Sequence, residues 1–109
     1  MAANQALIES LRGQLDGPRD GALLRFALGS TLLDAGDAAG ASDALRAALD
    51  FDPAYSAAWK LLGKALAATG DRDGAIAAYR QGIAAAERRG DKQAQKEMQV
   101  FLRRLEKPA

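Results

Sequence analysis

The sequence predicts an all-α protein of antiparallel helix hairpins, about six helices in a row. Three observations predict it. Matching residues recur at a fixed shift of 34 positions. Within each unit the apolar residues follow helical spacing and do not alternate as strand residues would. Gly-Asp pairs at 36–37, 70–71 and 90–91 mark where one helix stops and the next begins.

The shift is anchored on Leu28-Gly29 and Leu62-Gly63. It carries Leu32 onto Leu66, Gly36-Asp37 onto Gly70-Asp71, Ala41 onto Ala75, Leu45 onto Tyr79 and Leu49 onto Ile83. Repetition at such a period is the mark of stacked supersecondary units. With 109 residues, 1–109 is expected to form a single domain. Its parts are an N-terminal helix at 4–16, a first repeat at 22–55, a second at 56–89 and a capping helix at 91–107.

The elements follow in order. Leu7, Leu11 and Leu15 lie one period before Ala41, Leu45 and Leu49, so 4–16 reads as the second helix of an incomplete earlier unit. Gly17-Pro18 then breaks the chain. Leu24, Leu28, Leu32 and Ala35 at i, i+4, i+8 and i+11 predict the core face of the next helix. Gly36 stops it, and the Asp37 carboxylate can cap the helix whose core face carries Ala41, Leu45, Ala48 and Leu49. Asp52-Pro53 reads as an N-cap acid followed by Pro at the first helical position. Trp59, Leu62 and Leu66, then Gly70-Asp71, then Ala75, Tyr79 and Ile83 repeat the logic. After Gly90-Asp91, an amphipathic stripe of Ala94, Met98, Phe101, Leu102 and Leu105 leaves the repeat register. It reads as a cap over the exposed end of the stack.

The second unit holds Trp59, Leu62-Gly63, Ala75 and Tyr79, and the first holds Leu28-Gly29, Ala41, Ala48 and Pro53. In this order and period these residues resemble the tetratricopeptide repeat. The resemblance implies a right-handed α-solenoid whose concave face is lined mainly by the first helix of each unit. It also implies a scaffold or adaptor that works by protein–protein interaction. The chain departs from the family pattern at several positions. Arg25 stands where the first repeat would carry Trp, Leu32 and Leu45 replace aromatics, Leu66 replaces Tyr, Gly82 replaces Ala, and Glu87 replaces Pro. Some family members grip a C-terminal carboxylate with a three-repeat clamp. Here only two full units exist, and Phe26 and Ser30 occupy positions where that clamp has Lys and Asn.

A glycine inside a helix costs about 1 kcal/mol against Ala. Gly29 and Gly63 sit at equivalent places, which predicts close approach of the paired helices, with Ala41 and Ala75 as the small facing partners. Trp59 and Tyr79 are expected in the core.

Composition excludes most chemistry. With neither Cys nor His, the usual nucleophile–base pairs and transition-metal sites cannot be assembled. Asp37, Asp71, Asp73 and Asp91 follow helix stops, where carboxylates cap free N–H groups. No enzyme, catalytic residue, cofactor or metal is expected. No run approaches the ~20 apolar residues of a membrane span, and the N-terminus lacks a secretory pattern, so a cytoplasmic protein without membrane contact is expected. Net charge is +1, unevenly placed: residues 1–55 carry four Arg against eight acids, and residues 56–109 carry eleven Lys or Arg against six acids. Glu87, Asp91, Glu97 and Glu106 interrupt the basic C-terminal part, so nucleic-acid binding through it is not expected.

The candidate binding residues lie on the first helix of each repeat. Leu23, Phe26, Ser30 and Leu33 fall outside the first core stripe, and Lys60, Lys64 and Ala67 are their counterparts in the second unit. Phe26-Ser30-Leu33 and Lys60-Lys64-Ala67 share the spacing i, i+4, i+7, so each set forms one stripe. The groove is apolar at one end and basic at the other. It suits a peptide segment of another protein with an apolar anchor and an acidic group. Lysines at i, i+4 repel by a few tenths of a kcal/mol, which a carboxylate between them relieves. Two rival uses of Phe26 and Leu33 are contact with a second copy in a homodimer and burial beneath the C-terminal helix through Met98, Phe101 and Leu102. The alternative for Lys60 and Lys64 is an ordinary solvated surface.

Overall fold

Three glycines set three of the helix boundaries. Gly36, Gly70 and Gly90 adopt φ of 89°, 85° and 71°, the left-handed region that residues with a Cβ avoid. Each closes the preceding helix through a six-residue backbone hydrogen bond: Asp37 N–H to Leu32 O, Asp71 N–H to Leu66 O and Asp91 N–H to Ala86 O, all 2.9 Å. The carboxylate of the same aspartate then accepts from the next helix, from the N–H of Gly40, Gly74 and Ala94 respectively.

The computed structural model describes residues 2–107. Six helices follow one another: α1 (Ala2–Gly13), α2 (Ala22–Asp34), α3 (Ala38–Phe51), α4 (Ser56–Ala68), α5 (Arg72–Arg89) and α6 (Lys92–Glu106). The described residues contain no strand. The protein is an all-α helical repeat. α2 pairs with α3 and α4 with α5, α1 packs on α2, and α6 packs on α5. Contacts also run from α2 to α4 and from α4 to α6, but not among α1, α3 and α5. The even-numbered helices therefore close into a row and the odd-numbered ones fan apart, so the stack curves with α2, α4 and α6 on its inner face.

The core runs the length of the stack. It takes Leu28 and Leu32 from α2, Ala41, Leu45, Ala48 and Leu49 from α3, Leu62 and Leu66 from α4, Ala75 and Tyr79 from α5, and Met98 from α6. Small residues dominate α3 and α5, which lets neighbouring helices approach on both sides. Trp59 is half-buried at the edge of this core, and its indole N–H donates to Pro53 O at 2.8 Å.

Several expectations need correction. Leu7 is 47% exposed, and Ile8 is buried in its place. Leu7 corresponds to Ala41 and Ala75, which face the first helix of their own unit. Among the described residues no helix packs on that face of α1, and the buried face is the one turned to α2. α1 also ends at Gly13, with residues 14–16 in turn. Ala35 is exposed, because it closes α2 instead of continuing its stripe. Asp52-Pro53 does not begin α4. Asp52 closes α3, its carboxylate accepts from Ala54 N–H at 3.1 Å in a local turn, and α4 begins at Ser56. Gly29 and Gly63 do mark close approach, but the groups pressed on them are large. A Cβ at Gly29 would lie 2.6 Å from Leu45 Cγ, and one at Gly63 would lie 2.5 Å from Tyr79 Cε1.

Candidate functional site

The inner face is built by α2, α4 and α6, and its charged end is a junction of α4 with α6. α6 is held there by its core stripe. Met98 is fully buried, and a Cβ at Gly82 of α5 would overlap its sulfur, so the glycine makes the seat for this side chain. One helical turn on, the Phe101 ring stacks on Tyr79 with centroids 5.6 Å apart. Tyr79 is itself buried, which pushes its phenol up to about 12. Phe101 thus joins the core to the surface.

Around Phe101 lies a cleft of about 290 Å³ lined by Lys60, Lys64, Glu97, Val100, Phe101 and Arg104. Lys64 Nζ stands 5.0 Å from the Phe101 ring centroid and the Arg104 guanidinium 5.9 Å from it. Cations so placed are attracted by the ring quadrupole, by about 0.5–1 kcal/mol at exposed sites. Lys60 Nζ meets Glu97 Oε1 at 3.1 Å, and Gln93 Nε2 donates to Glu97 Oε2 at 3.3 Å. The hydrogen bond from Lys60, then that from Gln93, with the nearby Lys64 charge, hold the Glu97 carboxyl below its ordinary range. The carboxylate that the Lys60–Lys64 spacing calls for is therefore supplied first by the chain itself. Three cations face one carboxylate, so the cleft keeps an excess of positive charge.

The other candidate residues are placed differently. Leu23 is 73% exposed. Phe26 is half-buried, stacked on Tyr55 at 4.8 Å between centroids, and so ties α2 to the start of α4. Burial raises the Tyr55 phenol pKa, with a smaller contribution from Asp52. Leu33 packs against the core, Ser30 is half-buried, and Ala67 is exposed on the last turn of α4. Lys60 and Lys64 come together in the cleft; Leu23, Phe26, Ser30 and Leu33 lie on the neighbouring helix and do not line it. α6 makes no contact with α2, so Phe26 is covered by Tyr55 and not by the C-terminal helix. Sequence reasoning missed Glu97, Val100 and Arg104. The one signal available was Arg104 three residues after Phe101, on the same side of a helix.

Arg25 stands in for the absent tryptophan of the first repeat. Its Nε and Nη2 donate to the two Asp20 oxygens at 2.8 and 2.6 Å, a bidentate pair. The pair fixes the loop between α1 and α2, together with an N–H from Asp16, whose φ is 64°.

Comparison with known proteins bears on this architecture. The tetratricopeptide repeat pattern matches residues 32–96. A TPR repeat-containing protein of Pseudomonas aeruginosa is 54% identical over 101 residues, which cover 93% of this chain and 96% of that protein. A solution structure of a Bordetella parapertussis protein superposes with a TM-score of 0.78 at 54% identity, covering 90% of this chain and 85% of its own. A tetratricopeptide repeat domain protein from Salinibacter ruber gives 0.73 at 28% identity, covering 84% and 91%.

Proposed function

Since the chain belongs to the tetratricopeptide repeat family, we propose that it is a protein–protein interaction module taking a peptide segment along the α2–α4–α6 face. The observation that carries this is the excess of positive charge around Phe101: Lys64 and Arg104 flank the ring while Glu97 answers Lys60. An acidic side chain of the segment would meet Lys64 and Arg104. Its apolar anchor would lie on Val100 and the Phe101 edge, with Leu23 as a second apolar contact at the far end of the face. Phe26 and Leu33 act mainly by holding α2 in place. The module is an adaptor or scaffold and performs no chemistry of its own.

Selection from a random phage-displayed peptide library tests the reading. The expected result is a consensus with at least one acid beside a large apolar residue, lost on Lys64→Glu/Arg104→Glu. Enrichment of the same peptides by that variant would move the site elsewhere.

A further inference from the structure

The four acids that interrupt the basic C-terminal part of the sequence do not share the outer face of α6. Glu97 turns toward α4 and pairs with Lys60, Glu106 turns toward α5 and pairs with Arg80, and Asp91 caps the helix N-terminus. Glu87 belongs to α5. Lys92, Lys96 and Arg103, at i, i+4 and i+11, share the face opposite the buried Met98 stripe, and Lys107 continues it just past the helix end. All four are exposed, and none makes an ion pair among the described residues. They form a single file about 22 Å long at 1.5 Å per residue.

We infer that this outer face of α6 binds the phosphate backbone of single-stranded nucleic acid. Charge, not burial, must drive recognition there. Val100, 38% exposed, is the one large apolar residue at its margin, so a partner helix would find no apolar seam to cover. Phosphates at regular spacing need none. One file of cations suits a flexible strand that can follow it, and offers no second row to hold the other strand of a duplex. Phe101 lies in the cleft on the inner face and not on this row, so the row itself carries no aromatic ring for a base to stack on and binding is independent of sequence. The inference is separate from peptide binding, because none of the four cations lines that cleft.

The test is fluorescence anisotropy of a labelled oligothymidylate of about twenty nucleotides, titrated with the full chain across salt concentrations. Three to four neutralised phosphates predict that log K falls with log salt at a slope of about −2 to −3. Lys96→Gln/Arg103→Gln should shrink the slope by about 1.4 with an unchanged circular dichroism melt, since both side chains point to solvent. Lys64→Ala should leave binding as it was. No binding at low salt, or a slope that the double variant does not alter, overturns the inference. Loss of binding on Lys64→Ala does too, by moving the site to the cleft. Stronger displacement by polyglutamate than by unlabelled oligothymidylate at matched charge would assign the face to an acidic protein instead.

Discussion

Gly82 occupies a position where the family carries Ala, and Met98 explains it. A Cβ at Gly82 would overlap the Met98 sulfur and lie 2.7 Å from Trp59 Cβ. Gly82→Ala should therefore combine two opposed effects. Helix propensity favours it by about 1 kcal/mol, and overpacking opposes it by about 1–3 kcal/mol, for a net loss of about 0–2 kcal/mol. Met98→Ala, at a site with no exposure, should cost about 2–5 kcal/mol through lost burial and a cavity. In the double variant the new methyl occupies space that the sulfur has left. The loss in the double variant should then fall short of the sum of the two single losses by about 0.5–3 kcal/mol. Urea melts of the parent, both single variants and the double variant read this directly, as changes in the midpoint at constant m. Additivity within about 0.3–0.5 kcal/mol would refute the account of how α6 is seated.

Three further outcomes are expected. Ile8→Ala should destabilise by about 2–4 kcal/mol, whereas Leu7→Ala on the open side of α1 should change stability by less than about 1 kcal/mol; equal losses in thermal melts would overturn the assigned face. The Asp20 carboxyl is held far below its usual range, first by the Arg25 hydrogen bond and then by the Asp16 N–H. A depressed folded-state pKa gives stability that is complete above about pH 4 and lost as pH falls further toward the folded value; Asp20→Asn should flatten the loss of stability below pH 4, and an unchanged acid profile by circular dichroism would contradict the role of the pair. Glu97→Gln should free Lys60 for a ligand and tighten binding of a selected acidic peptide several-fold by calorimetry; equal or weaker binding would mean that Glu97 does not compete for the cleft.

The legible parts of the fold were local. Gly36, Gly70 and Gly90 each fulfil a backbone need within six residues, and the following aspartates cap within three, so helix ends could be read from sequence alone. The repeat made the pairing of α2 with α3 and of α4 with α5 legible, because equivalent residues must meet equivalent neighbours. What failed depended on absent or distant partners. Leu7 follows the repeat pattern, but no helix among the described residues packs on its side of α1. Asp52 could serve a cap or a turn, and only the chain path chose between them. Lys60 and Lys64 were legible as an anion-seeking pair. That Glu97, 37 residues from Lys60, reaches this pair depends on where α6 docks. Docking is set by Met98 on Gly82, and α6 lies outside the repeat register. Phe26 and Leu33 fall outside the core stripe of the α2–α3 pair, and the partner of Phe26, Tyr55, comes from the connection into α4, which helical spacing on α2 and α3 does not place.

The docking proposed above places an acidic peptide on the α2–α4–α6 face at the Lys64–Phe101–Arg104 cleft. Its most direct test is a titration of the isotope-labelled chain with a selected acidic peptide, followed by two-dimensional amide NMR. The account predicts the largest shift changes at Lys64, Val100, Phe101 and Arg104, smaller ones near Leu23, and little change along the outer surfaces of α1, α3 and α5. Changes centred on those outer surfaces, with the cleft unmoved, would contradict it.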